Sequence, residues 1–196
     1  MFMGVFRRLA MLWGMGKTYE RLDDALQRFI GQQPMYFVAT APGEGGHVNL
    51  SPKGYAETFA IIDEHTVAYL DMNGSGAETI AHLQDNGRIT FMFCSFERTP
   101  KILRLYGTGR TVLPGDPEWD GLAGLFPPGN PSVRSIIVAS IERISDSCGY
   151  AVPFMEVVGT RDLLKDWGAR KSPEELAKYR AQKNRVSIDG LPALEP

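Results

Sequence analysis

The residues best suited to chemistry lie between positions 47 and 110. In His47-Val48-Asn49-Leu50-Ser51 the period of a strand puts His47, Asn49 and Ser51 on one face and Val48 and Leu50 on the other. The polar face either meets water on an edge strand or addresses a ligand. The exit Ser51-Pro52-Lys53-Gly54 adds a fixed turn, a cation, and a glycine that lets a ligand approach the backbone. A second candidate is Gly74-Ser75-Gly76-Ala77-Glu78-Thr79. Ser75 and Glu78 have the spacing of a helix capping box, and the same stretch offers free amides, hydroxyls and a positive dipole end to a phosphate. It lacks the GxGxxG and GxxxxGK[ST] spacings, so neither a dinucleotide fold nor a P-loop is indicated. Arg104 sits in Ile102-Leu103-Arg104-Leu105-Tyr106, where a charge in an apolar run either pairs with a carboxylate at a rim or faces a ligand.

Other chemistries find little support. Cys94 and Cys148 form no CxxC pair, and His47, His65 and His82 are too scattered for a metal site. With no histidine nearby in sequence, Cys148 reads as a structural thiol rather than a nucleophile. The 21 basic and 23 acidic residues give a net charge of −2, without the basic excess that nucleic-acid binding demands. The apolar run at 9–13 is too short for a signal sequence or a membrane span, so a cytoplasmic location is expected. Residues 1–14 are expected to be a disordered extension, with a short basic amphipathic anchor as the rival reading, and 15–196 a single domain.

The elements that must position these residues follow from periodicity. Leu22, Ala25, Leu26, Phe29 and Ile30 recur at helical spacing from about Thr18 onward, and Gly31 supplies a stop. Strands are expected at 35–40, 47–51, 57–62 and 66–71, separated by turn-rich segments. A helix opened by Ser75, with Ile80 and Leu83 inward, ends at Gly87. Long strands follow at 88–96 and 101–112, then a short helix from Asp116 and Pro117, a rigid loop at 127–131 and a last strand at 135–144. Two helices close the chain, one carrying Leu163, Leu164 and Trp167, the other opened by a Ser172–Glu175 capping box. The sum is an antiparallel, barrel-like α+β arrangement.

Taken in order, HVNLSPKG, AYLDMNGSGAETIAHLQDNGRITFMF and ILRLYGTGR resemble the flavin-binding core of the pyridoxamine 5'-phosphate oxidase family, across residues 30 to 145. The later SCGYAVP and KNRVSIDGLP resemble an uncharacterised flavin-nucleotide-binding branch of that superfamily. The resemblance implies a six-stranded split β-barrel with flanking helices, with FMN in a groove at a homodimer interface and oxidoreductase activity on a small molecule. By position it implicates Val48, Asn49, Leu50, Ser51 and Lys53, then Leu70 and Asp71, then Ser75 and Thr79, then Arg104. Lys53 and Ser75 would hold the phosphate, strand amides the ring, and Arg104 would lie near the ring or its ribityl chain. There are departures. An arginine–lysine pair of the family enzyme is replaced by Gly74, Ser75 and Gly76, and a glutamine by Ile102, so either phosphate affinity is lower or Arg88, Arg110 or Arg134 of the same or the partner subunit supplies the charge. No histidine follows His82, so the Arg-x-His grip on the vitamin phosphate is absent and pyridoxamine phosphate is not the expected substrate. The alternatives are a non-enzymatic flavin-binding or sensing module, and a haem- or deazaflavin-binding barrel with His47 or His82 as haem ligand.

Overall fold

In the computed structural model, which describes residues 16–194, the strands form one antiparallel sheet. They are β1 (Thr18–Tyr19), β2 (Tyr36–Thr40), β3 (Asn49–Lys53), β4 (Phe59–Ile61), β5 (Thr66–Met72), β6 (Arg88–Cys94), β7 (Ile102–Val112) and β8 (Val133–Ser147). Their order is β3-β2-β6-β7-β8-β5-β4, with β1 attached to β8. The sheet curls into a split barrel with β3 and β4 as its edges. It has eight strands where six were expected. Six is what the resemblance implied; periodicity gave seven, and the strand it did not register is the two-residue β1. Thr18 and Tyr19, expected at the start of a helix, pair instead with Ser145 and Ile144. The helix α1 (Asp24–Gly31) begins later because the Asp23 carboxylate accepts from the Leu26 amide at 2.9 Å. The expected extension over 1–14 falls outside the described residues.

Alternation along the long strands fills the barrel. Val67 and Tyr69 of β5, Phe91 and Phe93 of β6, and Leu103 and Leu105 of β7 point inward with Tyr36 and Val38. Leu22, just ahead of helix α1, adds to this core with Leu26 and Ile30 on the helix. Helix α2 (Glu78–Asp85) plugs one end with Ile80 and Leu83. Tyr36 stands edge-on to Phe59 at 5.0 Å and stacks on Phe93 at 5.5 Å between ring centres. A smaller cluster of Ala68, Leu70, Val112, Phe126, Ile136 and Val138 lies on the opposite face, beneath α3 (Trp119–Ala123). The register between β7 and β8 shifts at Tyr106/Gly107, where a Cβ on Gly107 would stand 2.0 Å from the Ser140 carbonyl oxygen. Among the described residues no helix is long and apolar enough to cross a membrane.

The two expected capping boxes fare differently. Ser172 and Glu175 exchange backbone and side-chain hydrogen bonds at the start of α5 (Pro173–Lys183), which follows α4 (Leu163–Ala169). The Ser75–Glu78 box does not form. The cap of α2 is Ala77, with no side-chain bond, and the Glu78 carboxylate accepts from the Ile188 amide instead. The carboxylate that would close the box is therefore engaged elsewhere, and Arg134 donates to the Gly76 carbonyl at 2.8 Å.

Candidate functional site

The edge strand β3 is turned inside out relative to an ordinary half-buried strand. Its polar face looks inward: Asn49 Nδ2 donates to both Thr40 Oγ1 and Thr79 Oγ1 at 3.1 Å, and Ser51 Oγ donates to Asn49 Oδ1 at 3.0 Å. Its apolar face looks outward, with Val48 75% and Leu50 62% exposed. Strand register extends that outer face across the sheet. Leu50, Ala39, Thr90 and Tyr106 form one row, and Pro52, Phe37, Met92 and Arg104 the next. Arg104 is half-buried there and donates to Ser147 Oγ at 3.0 Å, with no carboxylate partner among the described residues. Because β3 pairs only with β2, alternate amides and carbonyls along it are left without a strand partner.

Inside the rim, charge is concentrated on Asp71. This carboxylate is almost fully buried; Oδ2 accepts from Arg134 Nε at 2.6 Å and from Ser135 Oγ at 3.2 Å, while Oδ1 lies 3.4 Å from Lys53 Nζ. Burial raises the Asp71 pKa, but the Arg134 and Lys53 charges and the hydrogen bonds outweigh it and hold the carboxyl below its usual range. Two cations on one anion leave a net positive charge beside the loop 73–77. Of the three arginines considered as phosphate partners, only Arg134 contacts this loop. Arg88 is tied to Asn86 and to the Pro42 carbonyl, and Arg110 to Glu118.

The expected site residues thus fall into two groups. Val48, Leu50 and Arg104 share the outer face, whereas Asn49, Ser51, Lys53, Asp71 and Thr79 meet inside the rim. Leu70 faces away from both, into the smaller apolar cluster, and Ser75 is exposed on the loop between β5 and α2. The two histidines differ sharply. His47 is exposed and bonds Asp189 through both its amide and Nδ1, at 2.8 and 2.7 Å, and that contact raises its pKa. His82 is fully buried, with Nδ1 3.0 Å from Thr40 Oγ1. Two side chains that sequence reasoning missed adjoin the loop 73–77: Asn73, which is part of it, and Asn184, whose Nδ2 donates to the Gly74 carbonyl at 3.0 Å. Both lie in stretches quoted above for the resemblance, which assigned neither of them a role.

Residues 22–148 match the model of the family described as pyridoxamine 5'-phosphate oxidase. The chain belongs to that family. Among relatives of the pyridoxamine 5'-phosphate oxidase family, the family protein ustO of Aspergillus flavus is 38% identical over 193 residues, spanning 90% of this chain and 77% of the relative. A solved structure described as a putative pyridoxamine 5'-phosphate oxidase from Lactobacillus delbrueckii superposes with a TM-score of 0.52 at 14% identity, covering 66% of this chain and 98% of that one. A HupZ variant from Group A Streptococcus does so with a TM-score of 0.50 at 22% identity, covering 64% and 98%. These two likenesses establish the split-barrel fold. Helices α4 and α5 lie beyond the stretch that the family model matches.

Proposed function

We propose that this protein is a cytoplasmic, homodimeric FMN-binding oxidoreductase acting on a small molecule other than pyridoxamine phosphate. The observation that carries the reading is the net positive charge around Asp71, next to the loop 74–76 where the family resemblance puts a phosphate. The residues present fit such a group: Lys53 and Arg134 supply charge, the loop supplies amides, and the unpaired edge of β3 supplies donors and acceptors for a flat heterocycle. The exposed side chains of Val48 and Leu50, continued by Phe37, Met92 and Tyr106, offer an apolar face that a second chain would cover, and that cover would keep water from the ring. Bound FMN supplies the redox chemistry, and the chain's part is to bind, orient and exclude water. The unpaired thiols Cys94 and Cys148 are in keeping with a reducing compartment.

The test is to denature the purified protein and identify any released chromophore by absorbance and mass, then titrate the stripped protein with FMN, FAD and riboflavin. FMN release, or tighter binding of FMN than of riboflavin, is expected. A colourless protein that binds no flavin overturns the reading, and released haem or deazaflavin replaces it. Light scattering that finds only a single-chain species rules out the interface site.

A further inference from the structure

Beyond Ser147 the chain leaves the sheet as an arm, residues 150–158, that its own body does not cover. Residues 153–160 form neither helix nor strand. Among the described residues two hydrogen bonds tether this stretch to the body: the Met155 amide donates to the Phe96 carbonyl at 3.2 Å, and the Arg161 carbonyl accepts from the Tyr55 hydroxyl at 2.5 Å. A cleft of about 770 Å³ separates the arm from Gln33, Pro34 and Phe96. The arm's side chains stand in water. Phe154 is 78% exposed, Val157 62% and Val158 100%, and Tyr150 and Met155 are exposed as well. A contiguous apolar stretch of this kind marks an interaction surface.

Three observations point to a second copy of this chain as its cover. The first is charge. Glu156 is the only charged residue of the arm, and Arg104 is the only one in the two outer rows described above. Neither has a partner of opposite sign within 4.0 Å among the described residues. Arg104 places one nitrogen on Ser147, which leaves the rest of its fork for a carboxylate. The second is position. At the arm's root a Cβ on Gly149 would stand 3.0 Å from the Lys101 nitrogen and 3.3 Å from Ile102 Cγ1, and alternation puts Ile102 on the outer face with Arg104 and Tyr106. Arm and face are neighbours, yet the arm leaves its own Val48 and Leu50 bare. A two-fold axis beside the root lays each arm on the other chain's face, so one operation covers both surfaces. The third is size. A stable interface takes about 20–30 residues from each side; the outer rows alone fall well short of that, and the arm added to them approaches it.

We propose that the arm is a dimer clasp: residues 150–158 of each chain lie across the outer face of a second copy, with Glu156 paired to the partner's Arg104. Phe154, Val157 and Val158 then cover the apolar part of that face. The inference rests on the homodimer proposed above and gives it its contacts. Because the clasped face adjoins the unpaired edge of β3, each protomer's site is complete only when the other chain's arm is in place.

The test is a charge exchange across the interface. Glu156→Arg and Arg104→Glu are made singly, their folding is checked by circular dichroism, and their masses are followed by sedimentation and native mass spectrometry over a dilution series. Each variant alone should raise the dimer dissociation constant about tenfold or more, because like charges then meet at both ends of the two-fold. Mixed in equal amounts they should restore the wild-type dimer, since both pairs in the mixed dimer are again of opposite sign. Val158→Asp should weaken the dimer likewise. Glu156→Arg and Val158→Asp lie on exposed side chains and decide the question even where Arg104→Glu does not fold. A monomeric wild type overturns the proposal, whether its arm is bare or is shielded from protease by residues 1–15 or by a different protein. So does a dimer that Glu156→Arg and Val158→Asp leave intact, or a loss in both charge variants that mixing does not repair. These readouts need no flavin. A dimer indifferent to the arm sinks this inference and leaves the flavin reading standing, and a colourless protein with an arm-dependent dimer does the reverse.

Discussion

Replacing Asp71 by asparagine isolates the electrostatic centre of the rim. The carboxylate is 1% exposed and Arg134, its 2.6 Å partner, 5%. Asp71→Asn keeps the shape but leaves a guanidinium buried without a counter-charge, at a cost of about 3–5 kcal/mol. Lys53, 3.4 Å away and 23% exposed, can turn to water and adds little. For a chain of this length each kcal/mol moves the melting temperature about 2–4 °C, so a drop of about 6–20 °C is expected for the apo protein at pH 7. The pH dependence has a definite sign. Asp71 has its pKa below the ordinary value of 3.8, so its stabilisation is complete above that value and is lost as pH falls through the folded-state pKa. Wild type and variant should therefore converge in strong acid. Urea unfolding of both proteins between pH 7 and pH 2 measures this. A difference under about 1 kcal/mol at pH 7, or one that does not shrink in acid, would refute the argument. The double change Asp71→Leu with Arg134→Met should recover much of the loss, since neither charge then remains buried.

Four further outcomes are expected. Lys53→Ala should cost the apo protein about 1 kcal/mol through its pair with Asp71 and should weaken FMN, but not riboflavin, by about 1.5–3 kcal/mol; an effect on stability alone would confine Lys53 to the ion pair. Arg104→Leu should lose about 0.5–1.5 kcal/mol with its bond to Ser147 and lower the flavin midpoint potential in spectroelectrochemical titration, and an unchanged potential removes Arg104 from the ring. Gly168→Ala should push α4 off Ser132 and expose residues 160–194 to limited proteolysis while the barrel stays folded; an unaltered digest contradicts the packing. By NMR, His47 should titrate above its ordinary value of 6.5 and fall back in Asp189→Asn. Its contact is then complete below 6.5 and released as pH rises through the raised pKa, so the protection of amides near Asp189, relative to their intrinsic exchange at each pH, should fall in alkali.

Where local pattern decided the outcome, the sequence was enough. Leu103 and Leu105 against Arg104, the aromatic run of β6 and the Ser172 box all read correctly because each depends on neighbours within one or two turns. Alternation in β3 correctly divided Asn49 and Ser51 from Val48 and Leu50, but it could not say which set turns inward. That depends on Thr40 and Thr79, polar partners supplied by other elements. The Ser75 box failed because the Glu78 carboxylate that would close it accepts instead from the Ile188 amide, 110 residues away. Asp71 was singled out by resemblance, yet its partner lies 63 residues away and arrives only through the register of β5 on β8. Asn73 and Asn184 lie in stretches that carry the resemblance, yet nothing local marks them, since Asn184 meets the Gly74 carbonyl, 110 residues away, only when the chain beyond α5 folds back.

Strand β8 pairs with β5, β7 and β1, segments from three separate parts of the chain. During synthesis this makes it a late keystone. The hairpins β2–β3, β4–β5 and β6–β7 can each close as they emerge, but the apolar edge of β5 has no neighbour until Val133 to Ser140 have been made. At about 5–20 residues per second that edge waits several seconds, with Val67, Ala68, Tyr69 and Leu70 open to any passing strand. A stalled or truncated chain ending before residue 133 would hold that state indefinitely, and would aggregate through β5 while its hairpins remained well formed.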